Sequence, residues 1–178
     1  MQVNESNLQS NLAESEQNVV LCMKWGTKYG ADYVNRLYNM VKRHTTIDFK
    51  MVCLTDRTEG IDPAVQCFPI PSLALPEGSP ERGWNKLSTF EPDLYGLKGN
   101  LLFLDLDVVI VDNIDDFFTY PGDFLIIHDW KRPWRVTGNS SVYRFKLGSF
   151  PEILPYFREN FNEISHKFRN EQEYLSWY

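Results

Sequence analysis

The sequence predicts an α/β fold: a three-layer α/β/α domain built on a mainly parallel, Rossmann-like sheet. Two observations carry this. Short apolar runs of strand length alternate, through the first half of the chain, with segments of helical period. That alternation reads as βαβ units with helices on both faces of the sheet. The second is size: 178 residues, 43% of them hydrophobic, suit one domain with a substantial core. No internal repeat or break in composition divides residues 19–178. Residues 1–18 are polar, with no basic start and no apolar centre, so they read as a flexible tail and not as a secretory signal.

The elements follow in order. Val19 to Met23 is a short apolar run closed by Trp25-Gly26-Thr27, the pattern of a buried strand. Tyr33, Leu37, Met40 and Val41 recur at helical spacing and predict a helix from Ala31 to His44. Phe49 to Leu54 is a second strand, ending at Thr55-Asp56, and Val65 to Ile70 a third. Pro71 to Arg82, rich in Pro, Gly and Ser, reads as a loop. Trp84 to Phe90 is read as a helix that stops near Pro92. Asn100 to Val111 is the strongest strand signal in the chain. Phe124 to His128 and Ser141 to Phe145 are shorter strands. Ile153, Phe157, Phe161, Ile164 and Phe168 predict a helix over Pro151 to Arg169, with Pro155 near its first turn, where proline is tolerated.

Composition excludes several functions. The net charge is −6 and no Lys/Arg block occurs, which argues against a nucleic-acid partner. No apolar run is long enough to span a membrane. Cys22, Cys53 and Cys67 each lie in an apolar run without a C-x-x-C pair, and His44, His128 and His166 are scattered. This points to reduced core thiols in a cytoplasmic protein and away from zinc. The five tryptophans have two uses open to them: filling the core, or lining a pocket for a flat ring or a sugar face.

In sheets of this type ligands bind beyond the carboxyl ends of the strands, where strand order reverses. Residues just after each apolar run therefore carry the interest. Leu101 to Val111 is apolar throughout except at Asp105 and Asp107. Along a strand, residues i and i+2 share a face, which would set the two carboxylates on one side, about 7 Å apart. Two like charges at the edge of a core repel each other and resist desolvation. A hard cation, Mg²⁺ or Mn²⁺, resolves both problems through oxygen ligands. A plainer alternative has one Asp capping the following loop and the other solvated.

Two enzyme families fit D-x-D after a buried strand. In haloacid-dehalogenase-like phosphatases the pattern is D-x-D-x-[TV], met here by Asp105-Leu106-Asp107-Val108-Val109, and the first Asp is the nucleophile. That family normally opens with this strand, whereas here residues 19–99 precede it. The chain more closely resembles GT-A glycosyltransferases, in particular the glycogenin and galactosyltransferase-like retaining group and its bacterial relatives. Lys24-Trp25-Gly26-Thr27-Lys28-Tyr29-Gly30, Gly83-Trp84-Asn85-Lys86, Asp105-Leu106-Asp107, Val136 to Tyr143 and Asn170-Glu171-Gln172-Glu173-Tyr174 carry the resemblance, over about residues 18–178.

The resemblance implies a sugar transfer from a UDP- or GDP-linked donor to an acceptor hydroxyl of a glycan, lipid or protein. It implies that Trp25, Gly26, Thr27 and Tyr29 meet the base and ribose, and that Lys86 reaches the diphosphate. Asp107 would ligate Mn²⁺ or Mg²⁺ directly, and Asp105 would bind the metal, the ribose or both. Asn139, Ser140 and Gln172 would line the sugar pocket, together with Glu171, which stands where the family usually has Asp. Asp129 and Glu171 are the candidates for proton transfer. For several of these a structural role stands beside the functional one: Gly26 in a turn, Tyr29 packed on the helix, Lys86 solvated, Asn139 in a turn. Many family members complete the metal site with a His in a C-terminal H-x-x-G-x-x-K-like segment, which these 178 residues do not contain. Two alternatives follow. Either the third ligand differs, with His128 or Asp129 nearest, or the chain is a shortened member that binds nucleotide or a partner with weak catalysis.

Overall fold

The computed structural model describes residues 17–79, 83–131, 133–135 and 137–178. Among them, six strands form one sheet in the order β3-β2-β1-β4-β6-β5. These are β1 (Asn18–Lys24), β2 (Lys50–Thr55), β3 (Gln66–Phe68), β4 (Asn100–Leu104), β5 (Phe124–His128) and β6 (Gly138–Lys146). β3, β2, β1 and β4 run parallel. β6 is antiparallel to β4, and β5 is antiparallel to β6. The chain thus winds outward from β1 to β3, then returns to β1's other side with β4. The order reverses between β1 and β4.

Alternation along the strands builds two cores. Val20, Cys22, Met51, Cys53, Leu102 and Leu104 face helix α1 (Ala31–His44) and the short α2 (Asp116–Thr119). α1 contributes Val34, Leu37 and Val41. Val19, Leu21, Met23, Leu101, Phe103, Tyr143 and Phe145 face the other way. There they meet a 3₁₀ helix (Trp84–Phe90) and three short helices, α3 (Ile153–Glu159), α4 (Phe161–Lys167) and α5 (Glu171–Trp177). Aromatic rings dominate this second core: Phe90 stacks on Phe145 at 4.4 Å, and Phe103 on Tyr143 at 4.8 Å. The three-layer α/β/α expectation therefore holds. No helix among the described residues is long and apolar enough to cross a membrane.

Several boundaries differ from the sequence reading. β4 stops at Leu104, well short of Val111. Leu106 and Ile110 leave the sheet and fill the core beneath α1, while Val109 and Val111 are exposed. The apolar letters after Asp107 thus serve packing against a helix, not a longer strand. Trp84 to Phe90 is a tighter 3₁₀ turn set, not an α-helix. The helix read over Pro151 to Arg169 is broken at Asn160, which ends α3 and precedes α4. The break lets Phe157 and Phe161 meet edge to face at 5.5 Å. β6 starts at Gly138, three residues before the expected strand, and β1 takes in Asn18 from the presumed tail. Residues 1–16, 80–82, 132 and 136 of the expected tail, loops and motif lie outside the described residues.

The three cysteines form a row. Cys22 pairs in register with Cys53, and Cys53 with Cys67, across β1, β2 and β3. All three are free thiols, as expected. The hydrogen bond with Cys53, with burial adding to it, pushes the Cys22 thiol well above the usual range.

Phe157 joins the 3₁₀ helix to the C-terminal helices, since its ring lies 5.2 Å from Trp84 and 5.5 Å from Tyr174. Truncation leaves a cavity that this dense aromatic packing closes poorly. Phe157→Ala is expected to destabilise the protein by about 3–5 kcal/mol, read by urea denaturation.

Candidate functional site

The reversal between β1 and β4 makes a crevice at their carboxyl ends. A cavity of about 460 Å³ opens there, lined by Trp25 to Tyr29 after β1, Lys86 of the 3₁₀ helix, and Asp105 to Asp107 after β4. A larger cavity, about 850 Å³, lies by Thr45, Thr46 and Lys50 at the start of β2, among none of the residues singled out from the sequence. Chemistry, not size, distinguishes the two.

Asp105 and Asp107 lie on the turn beyond β4. The Asp105 amide donates to the Ser141 carbonyl at 2.9 Å, which extends the β4–β6 pairing by one step. The turn, not strand alternation, brings both carboxylates to one cavity. Their environments differ. Lys86 donates to both Asp105 oxygens, at 2.8 and 2.9 Å. The same ammonium lies 3.5 Å from Glu171 Oε1 and donates to the Ser140 carbonyl at 3.3 Å. Lys86 is only 8% exposed, so the solvated alternative fails: it is a buried counter-ion between two carboxylates. Asp107 is exposed, and its Oδ2 accepts the Tyr29 hydroxyl at 2.7 Å.

The 3₁₀ helix reaches this position through Gly83, whose φ of +76° suits glycine. A Cβ there would collide with the Glu171 carboxylate. Glu171 opens α5 and also accepts the Ser140 hydroxyl at 2.7 Å. Burial raises the Glu171 carboxyl above its usual value, against the lowering pull of Lys86 and Ser140.

The Ser140 amide donates to Gln172 Oε1 at 3.1 Å. Gln172 Nε2 reaches Asp129 Oδ2 at 3.5 Å, and Asp129 is buried. Asn139 is also buried, with its carbonyl oxygen accepting the Ser141 amide at 2.9 Å. The segments read for the sugar pocket therefore adjoin one another through hydrogen bonds. Asp105, Lys86, Glu171, Ser140, Gln172 and Asp129 form a continuous polar chain.

The structure adds three residues to which the sequence assigns no individual role. Asp56 Oδ2 accepts the Gly26 amide at 2.9 Å, and this bond holds its carboxyl below the usual range. It fixes the loop after β1 to the end of β2; the only signal was its place just past an apolar run. Lys24 stands 3.9 Å from the same carboxylate. Lys28 lies over the Tyr29 ring at 4.6 Å; its contact with that hydroxyl first, and Asp107 and Asp105 beyond, raise its pKa. It supplies a cation at the cavity wall.

Two carboxylates at one cavity, one of them exposed, fit a hard cation whose other ligands are water and phosphate oxygens. Lys86 is bonded to Asp105, which leaves the exposed Asp107 as the carboxylate open to such an ion. No group of three or more His, Cys, Asp or Glu residues placed to hold a metal ion occurs among the described residues. His128 is exposed with Nε2 on the Arg135 carbonyl, and Asp129 accepts the Lys131 amide and meets Gln172. Neither joins the Asp pair as the third ligand considered from the sequence.

No family model matches the chain, and no curated protein matches it. Solved structures do. The apo form of glycosyltransferase GlyE from Streptococcus pneumoniae TIGR4 is similar, with a TM-score of 0.60 at 14% identity, covering 90% of this chain and 42% of that one. A second structure of GlyE gives 0.57 at 12% identity, covering 91% and 43%. The chain therefore has a fold found in a glycosyltransferase, and spans about two-fifths of that protein's length.

Because the folded-state Glu171 pKa is raised, the folded state is penalised as this group ionises. The penalty is absent below the unfolded pKa and fully present above the folded one. The stability difference, wild type minus Glu171→Gln, is thus expected to fall as pH rises through that window. Chemical denaturation of both proteins at several pH values from 4 to 8 checks this.

Proposed function

We propose that this chain is the donor-binding region of a GT-A type glycosyltransferase, taking a sugar from a UDP- or GDP-linked donor to an acceptor hydroxyl. One observation carries the reading. At the switch point of a fold found in a glycosyltransferase, the loop after β1, Lys86 and the Asp105–Asp107 turn line one crevice, and Lys86 ties it to Ser140 and Glu171.

In this reading Trp25, Gly26, Thr27 and Tyr29 flank the base and ribose, and Lys28 meets the diphosphate. Asp107, with Asp105, would hold Mn²⁺ or Mg²⁺, which when bound supplies Lewis-acid stabilisation to the leaving diphosphate. Lys86 acts one step back: its two bonds to Asp105 fix that carboxylate's direction. Asn139, Ser140 and Gln172 orient the sugar. As the bond from sugar C1 to the diphosphate breaks, charge builds on the sugar ring as in glycoside cleavage. The acceptor oxygen then bonds to C1, and its proton passes to a carboxylate, Asp129 or Glu171. The raised pKa of Glu171 suits a group that takes a proton. The free, buried thiols support a reducing, cytoplasmic setting.

Calorimetry with UDP or GDP and Mn²⁺ tests the proposal. Binding of one nucleotide is expected, weakened about tenfold or more in Asp107→Ala. Lack of binding to either, or equal binding by the variant, overturns it. Asp105-dependent hydrolysis of p-nitrophenyl phosphate would instead make Asp105 a phosphatase nucleophile.

Tyr29 bears on the same site. Its hydroxyl donates to Asp107 Oδ2 and so competes with a metal ion for that oxygen. Tyr29→Phe is expected to raise Mn²⁺ affinity in the absence of nucleotide, measured by electron paramagnetic resonance of free Mn²⁺.

A further inference from the structure

The β5–β6 connection carries an unusual surface. Trp130 and Trp134 are 62% and 77% exposed, whereas Trp84 is 2% exposed and Trp25 packs against the core. Two exposed indoles on one short connection are informative in a way that a buried one is not. The segment Trp130-Lys131-Arg132-Pro133-Trp134-Arg135 also holds three cations and no acid, in a chain of net charge −6.

This connection is braced at its root. The Asp129 amide donates to the Thr137 carbonyl at 2.8 Å, and its carboxylate accepts the Lys131 amide at 3.1 Å. The His128 ring contacts the Arg135 carbonyl at 3.0 Å.

Between the connection and the last helices lies a cavity of about 380 Å³, with Arg135, Thr137, Lys167, Phe168, Glu173 and Trp177 on its walls. Lys167 sits over the Trp177 ring at 4.3 Å. Glu173 is engaged by Arg169, which leaves Arg135 and Lys167 to set the sign of the cavity. The wall of this cavity is bonded to the segment that carries Asn139 and Ser140. The Gly138 amide, next to Thr137, donates to Ser176 at 2.9 Å, and Asp129 at the root meets Gln172.

We infer that this cavity and the two exposed tryptophans bind the acceptor, and that the acceptor is a saccharide bearing acidic groups. The inference rests on the donor reading above. Sugar rings present a flat C–H face that packs on an indole, while their hydroxyls stay wet. Arg135, Lys167 and Lys131 match carboxylate or phosphate substituents by charge-assisted hydrogen bonds. Gly138, bonded to Ser176 on the cavity wall, leads directly into Asn139 and Ser140, so the acceptor cavity and the sugar-orienting residues of the donor reading share one stretch of chain.

The test uses the full chain and three probes: a glucuronate-containing tetrasaccharide, the neutral maltotetraose, and phosphatidylglycerol vesicles. Binding is read by tryptophan fluorescence and calorimetry. The acidic tetrasaccharide is expected to bind about tenfold or more tighter than maltotetraose. Trp134→Ala and Arg135→Glu, both at exposed positions, should each remove most of that binding and leave UDP or GDP binding with Mn²⁺ unchanged. Nucleotide binding without binding of the acidic saccharide overturns this inference alone. Saccharide binding that the two variants do not alter, or vesicle binding in its place, also overturns it. Saccharide binding lost in the variants, in a protein that binds no nucleotide, upholds the saccharide site and sinks the donor reading.

Discussion

The site depends on one buried ammonium. Lys86 lies between Asp105 and Glu171, and its position requires four separate parts of the chain to arrive together. The 3₁₀ helix must deliver it, the left-handed Gly83 must leave room for Glu171, β4 must end at Leu104, and β6 must present Ser140. Removing water from this charge is costly, so it stays only where several acceptors surround it. Such a pair is weak grounds for a stability claim. Its value is geometric: it fixes the Asp105 carboxylate at the crevice and ties Glu171 to it.

Topology explains why the two ends of the crevice differ. β1 and β4 are parallel, so the turns after both strands open at the same end of the sheet. β6 runs against β4, so its first residues, not its last, reach that end. A strand start carries fewer apolar obligations than a strand middle. Asn139 and Ser140 can therefore be polar and buried at once, Ser140 with partners from α5 and Asn139 with the Ser141 amide.

Much of this was legible in the sequence. β1, α1 and β5 matched their periodicity nearly residue for residue, because each is a clean apolar pattern with a clear stop. The Asp pair, Lys86 and the Gly138–Ser140 segment stood out by type and position, and the structure brings them close. Illegible were features set by distant neighbours. The end of β4 depends on where β6 stops pairing, and Val108 to Val111 looks like strand until α1 is seen above it. The burial of Lys86 depends on Glu171, 85 positions away. Asp56 acts through a single bond to a backbone amide, and leaves no pattern in composition.

The cysteine row has a consequence of its own. Cys22, Cys53 and Cys67 mark three adjacent strands at matching heights, and Cys22 and Cys53 are fully buried. Alkylating reagents would meet those two sulfurs only when the sheet opens. The half-covered Cys67 would answer first, as the outer strand frays. The protein thus carries an internal clock for the order in which its strands come apart, readable by mass without adding any label site.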